Sequence, residues 1–274
     1  MAWAAAEAVL HDAPLHLLTS TGIAMASALS EGLDLPESER GWLHTDGERI
    51  VAEAASVARR AVGEDDRLVL TTEVTPEFIV PTLLERSTTA RILVVGSRGL
   101  GAFRRTLLGS VSTAVTRHAR CPVAVIHDFA ALDAASADKP ILVGVDGTEN
   151  SVAAVEYAFD AADRRKVGLV ALHAWSDSTS LDLPMKDWES LRESERAVLA
   201  ERLAGFAEKY PDVVVRRIVV PNRPTHALHD QSDYAQMVVV GSHGRGGFAS
   251  MVLGSTSNAV LHTVACPVVV VRTR

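Results

Sequence analysis

Residues 241–255 read GSHGRGGFASMVLGS, between the apolar run MVVVG (237–241) and a segment of helical character. Residues 96–110 read GSRGLGAFRRTLLGS after ILVV. The two stretches lie 145 residues apart and share G-x2-G-x9-G-S: Gly96, Gly99, Gly109, Ser110 and Gly241, Gly244, Gly254, Ser255. A turn needing positive φ is satisfied by one glycine. Three glycines at matched spacing, placed twice between a buried strand and a helix, point instead to a backbone that closely approaches a ligand.

The repeat extends outward. RCPVAVI (120–126) matches ACPVVVV (265–271) at the same offset, and EAVLHDAPLHLLTS (7–20) matches AADRRKVGLVALHA (161–174) in pattern at an offset of 154. A duplicated unit of about 140 residues is the economical reading. The stretch DFAALDAASADKP (128–140) is small, polar and ends in proline, as a linker does. The expected organisation is a first domain over 1–130, a linker over 131–139 and a second domain over 140–274.

The second copy parses most cleanly. ILVGV (141–145) is a continuous apolar run, as expected of a strand buried on both faces. A helix from about Ser151 to Arg164, a strand at LVALHAW (169–175), a helix over 187–209 and a strand at VVVRRIVV (213–220) follow. PTHALHDQSDYA forms a short helix; MVVVG, the glycine loop, a helix over 255–264 and PVVVV complete the unit. This alternation predicts an α/β doubly wound parallel sheet.

In such sheets ligands sit beyond the carboxyl ends of the strands, where strand order reverses. A glycine loop that opens a helix favours phosphate there, through backbone N–H groups and the positive helix end. No acidic residue occurs between Arg86 and His127, or after Asp233, although the chain's formal charge is −7. That acidity argues against nucleic acid as a partner. There is no G-x4-G-K-[ST], so the loop is not a P-loop, and GRGGFA (244–249) lacks the acid that a dinucleotide site needs downstream.

The glycine spacing resembles the ATP-binding signature of the universal stress protein family. VGVDG before the first helix, LHAW on the second strand and CPV on the last extend the resemblance over essentially the whole chain. The tandem arrangement is similar to the two-domain members found in mycobacteria and related actinobacteria. The resemblance implies strand order 3-2-1-4-5 in each unit. It implies that Asp146 contacts adenosine and that the Ala174 backbone meets adenine. Gly241, Gly244 and Gly254 would wrap ribose and phosphates, and Ser255, with Thr256 beside it, would donate to phosphate oxygens. Gly96, Gly99, Gly109 and Ser110 would do the same in the first copy. It further implies ATP as ligand, alone or with magnesium, and a stress-response regulator that acts through a protein partner yet to be identified. A weak nucleotide hydrolase and a scaffold that binds no nucleotide are the alternatives.

Other residues rank lower. His173 reads as a strand histidine with a satisfied partner. His243 lies within the loop, Arg98, Arg104 and Arg105 face phosphate or water, and Trp175 and Trp188 anchor loops. No catalytic triad or metal-ligand spacing occurs, so a binding protein is expected rather than an enzyme. Cys121 and Cys266, each followed by proline, read as small buried hydrophobes of a reduced, cytoplasmic protein. No apolar run approaches the roughly 18 residues of a membrane span, and the N-terminal stretch has no basic region typical of a secretory signal.

Two expectations concern assembly. The apolar last strands (122–127 and 267–272) should pair at their sheet edges, giving a pseudo-dimer within the chain, with homodimerisation of the whole chain beyond it. At the 154-residue offset the counterpart of Asp146 would fall nine residues before Met1. The first copy is therefore expected to lack its first strand and adenosine-binding acid, to form a four-stranded or rearranged sheet, and to bind nucleotide more weakly.

Overall fold

Strand β5 (Ile141–Gly144) is the hinge of the topology: Ile141, Leu142 and Val143 are fully buried, and strands pair with it on both sides. In the computed structural model, β5 is followed by α6 (Val152–Arg165), β6 (Leu169–Ala174), α7 (Met185–Lys209) and β7 (Val215–Val220). The chain then returns through α8 (Pro224–Ser232), β8 (Met237–Gly241), α9 (Ser255–Thr263) and β9 (Val268–Val271). The structure describes residues 1–22, 36–63, 67–97, 108–127, 134–147, 151–174, 185–221, 223–244 and 253–272. In space the strands run β9-β8-β5-β6-β7, all parallel, which is the expected order 3-2-1-4-5. The order reverses between β5 and β8.

The sequence explains this half well. β8 and β9 are almost pure valine, whose branched side chains fit a pleated surface covered on both sides. Val268, Val269 and Val270 are completely buried. Helix α6 turns Ala154, Val155, Ala158, Phe159, Ala161 and Ala162 inward, an apolar stripe at helical spacing. The Phe159 ring lies 5.7 Å from Phe206 of α7 and 5.8 Å from Tyr210 just beyond its end, joining the two helices.

The first copy departs from the expected second doubly wound sheet. It contributes α1 (Ala2–Leu10), β1 (Leu15–Ser20), α2 (Glu37–Val62), β2 (Leu70–Thr75), α3 (Ile79–Arg86), β3 (Leu93–Gly96), α4 (Ser110–His118) and β4 (Val123–Ile126). The four-residue turn α5 (Ala134–Ala137) lies in the expected linker. β1 and β2 form a two-stranded parallel sheet, registered from Leu15 opposite Leu70 to Ser20 opposite Thr75. β3 and β4 join the second copy's strands in a seven-stranded mixed sheet, β3-β4-β9-β8-β5-β6-β7. Among the described residues the first copy has no strand equivalent to β5. That strand would link β1 to β3, so the ladder divides there. The compact units run Met1–Arg86 and Ser87–Arg274.

The seven-stranded sheet is continuous because β4 and β9 pair antiparallel, with Ala124 opposite Val269 at the centre of the ladder. Both edges needed a partner, and each supplies the other's. The residues just beyond the strands reach across the seam. His127 Nε2 donates to the Leu261 carbonyl at 2.8 Å, and Arg272 donates to the Arg117 carbonyl. Each cationic or imidazole group thus meets the last turn of the opposite copy's helix, where free carbonyls collect. The pairing of the two last strands at their sheet edges is the expected one. Among the described residues no helix is long and apolar enough to cross a membrane.

Candidate functional site

At the switch between β5 and β8 the two strand ends carry different chemistry. β5 passes through Val145 to Asp146 and then Gly147, whose φ of 76° turns the chain away. β8 ends at Gly241 and leads into the glycine loop. A Cβ placed on Gly244 would lie 3.2 Å from Asp146 Oδ2. The acid and the loop, 98 positions apart in sequence (244 less 146), are therefore in direct contact.

The loop is closed at its base by two hydrogen bonds. The Gly254 N–H donates to the Ser242 carbonyl at 2.7 Å, and the Ser257 hydroxyl donates to the Gly241 carbonyl at 2.5 Å. The first copy repeats both: Gly109 N–H to Ser97 O at 2.8 Å, and Ser112 Oγ to Gly96 O at 2.6 Å. Ser112 and Ser257 were not singled out from the sequence. The signal was there, since GSVS and GSTS stand at the same 145-residue offset.

Gly254 caps α9 with φ −63° and ψ 149°, and Gly109 caps α4 with φ −64° and ψ 155°. Any residue adopts this backbone, so these glycines are not required by a left-handed turn. A Cβ on Gly254 would stand 3.4 Å from Ser242 O and 3.6 Å from Gly244 N, on the inner wall of the loop. Among the described residues neither helix has a side-chain cap hydrogen bond. Ser255 is the first helical residue rather than the cap, and it is exposed, with Thr256 half-buried beside it. Ser110 holds the same exposed position in α4.

Ala174 ends β6, two positions beyond the Gly144–Leu172 pair, as Asp146 is on β5. Asp146, Ala174, Gly241, Gly244, Gly254, Ser255 and Thr256 all gather at the carboxyl end of one parallel sheet. Gly96, Gly109 and Ser110 form an equivalent loop base at the end of β3. Gly99, Arg98, Arg104, Arg105 and Trp175 lie outside the described residues, as does the side chain of Trp188. Among the described residues the first copy has no acid in the place of Asp146.

The histidines separate in role. His173 is 1% exposed, with Nδ1 2.6 Å from the Val145 carbonyl and Nε2 2.9 Å from Glu195 Oε2. It is the satisfied strand histidine the sequence suggested. His243 Nδ1 lies 3.0 Å from Ser242 Oγ at the loop entrance. Among the described residues no group of three or more His, Cys, Asp or Glu could hold a metal ion. Neither Cys121 nor Cys266 forms a disulfide, and burial pushes the Cys266 thiol up to about 11.

Comparison with known proteins places the chain in a family. The universal stress protein family model matches residues 1–127 and again 139–272. A universal stress protein of Mycobacterium tuberculosis is 45% identical over 270 residues, spanning 98% of this chain and 91% of the relative. One of Mycolicibacterium smegmatis is 42% identical over 277 residues, spanning 99% and 92%. The crystal structure of a universal stress protein from Archaeoglobus fulgidus superposes with a TM-score of 0.66 at 19% identity, covering 99% of this chain and 92% of that one. At that identity the likeness speaks for the fold alone. The chain belongs to the universal stress protein family and carries the family's unit twice.

Proposed function

We propose that the second copy binds an adenine nucleotide, ATP in the first instance, and that the chain acts as a nucleotide-dependent stress-response regulator through a protein partner. The observation that carries this is the approach of the Asp146 carboxylate to Gly244, on the loop that leads into the N-terminus of α9. A carboxylate suits ribose hydroxyls, which donate to it. Helix-terminal N–H groups and the Ser255 and Thr256 hydroxyls suit phosphate oxygens. The glycines keep side chains out of the space between. Ala174, one strand over, offers backbone groups to the base. The residues fit the ligand: negative charge stands at the sugar end, and the sequence after Asp233 carries no acid to repel phosphate.

Binding rather than rapid turnover is the reading we favour, in a reduced cytoplasmic setting. Calorimetric titration with ATP, with and without magnesium, tests it. Wild type should bind, and Asp146→Ala should lose about tenfold in affinity, on the order of 1.4 kcal/mol. Unchanged affinity in the variant overturns the assignment. Phosphate release measured in the same samples separates a binder from a slow hydrolase.

A further inference from the structure

We infer that His173, held by Glu195, is a positioning residue for the nucleotide-binding acid. The inference rests on the nucleotide reading of Asp146. The peptide joining Val145 to Asp146 is gripped from β6 on both sides of Val145. The Val145 N–H donates to the Leu172 carbonyl at 2.9 Å, and the Val145 carbonyl accepts from His173 Nδ1 at 2.6 Å. That carbonyl belongs to the same rigid peptide plane as the Asp146 N–H. The His173 ring therefore sets the plane from which Asp146 leaves the strand, immediately before the turn at Gly147.

The ring itself is held from behind. Nε2 lies 2.9 Å from Glu195 Oε2 on α7, and the Glu195 side chain is 21% exposed while that of His173 is 1% exposed. The ring has two fixed hydrogen bonds at opposite edges, so its orientation is determined. A chain of contacts thus runs from the outer helix α7, through Glu195 and His173, to Val145, Asp146 and the wall of the glycine loop at Gly244. Movement of α7 and the position of the acid are linked through one buried side chain.

Two isosteres divide the role. The amide nitrogen of Asn reaches the place of Nδ1, so His173→Asn keeps donation to Val145 and gives up Glu195. The amide of Gln reaches towards Nε2, so His173→Gln keeps Glu195 and gives up Val145. Each loses one buried hydrogen bond, so both should melt earlier by similar amounts. ATP affinity should separate them: within about threefold of wild type for His173→Asn, and about tenfold or more weaker for His173→Gln. Amide hydrogen exchange on the ligand-free chain gives a second reading, with Asp146 and Gly147 exchanging faster in His173→Gln than in His173→Asn. Equal affinity losses, or equal exchange at these two amides, overturn the positioning role. If wild type binds no ATP, the nucleotide reading fails by itself, and the exchange experiment still decides whether His173 holds the acid in place.

Discussion

The Asp146 carboxylate lies against Gly244, so close that a methyl group on the glycine would stand 3.2 Å from Oδ2. The two residues belong to different strand ends, and the contact marks the reversal of strand order. Gly244→Val should displace the carboxylate and fill the cradle. ATP affinity should fall by about tenfold or more, while melting shifts little, because the loop side of this contact is not core. Calorimetry and thermal unfolding on the same variant check both halves.

Gly254 offers a cleaner separation of fold from binding. Its backbone suits alanine, and the nearest atoms to the added Cβ are at 3.4 Å, an ordinary contact. Gly254→Ala should therefore leave stability within about 1 kcal/mol of wild type. Affinity for ATP should drop markedly, because the methyl occupies the inner wall of the loop. Retained affinity would show that ligand does not approach this wall.

One tight site per chain is expected. The loop base of the first copy matches that of the second bond for bond, yet among the described residues it lacks a partner like Asp146. Titration of the 274-residue chain should give a stoichiometry near one for the tight phase. Two equal tight sites would show that the acid is dispensable.

Lys166 closes α6 in the left-handed region, φ 55° and ψ 42°. This conformation costs a side-chain-bearing residue about 1–2 kcal/mol, whereas glycine takes it freely. Lys166→Gly gives up an exposed pair with Asp163 at 3.0 Å, worth well under about 1 kcal/mol. The variant should be more stable by about 0.5–1 kcal/mol, after allowance for the greater freedom of glycine in the unfolded chain. Denaturant unfolding measures it.

Burial raises the Cys266 thiol from 9.0 to about 11. Between these values the unfolded chain has released a proton that the folded chain retains, so stability falls as pH rises. From about pH 8 to about pH 10.5, wild type should lose about 2 kcal/mol more than Cys266→Ala. Unfolding curves of the two proteins at both pH values give the difference. Near neutral pH the folded thiol should resist alkylation, because the thiolate is the nucleophile.

Much of the second copy was legible in the sequence. Its central strands are runs rich in valine, leucine and isoleucine, and its helix α6 carries apolar residues at helical spacing. Local pattern alone thus determines which segments become strands and helices. The repeated G-x2-G-x9-G-S located the loops. Sequence could not show that Asp146 touches Gly244, since contact between residues 98 positions apart is made by strand order and not by spacing. Nor could it show that Ser112 and Ser257 tie each helix back to its strand, or that His173 grips the peptide before the acid. The division of the first copy was likewise a tertiary outcome. β3 and β4 continue the second copy's sheet through β9, and β1 and β2 pair with each other. A hydrogen-bond ladder needs a partner at every strand edge that is buried, and which partner it finds is decided by the folded chain as a whole.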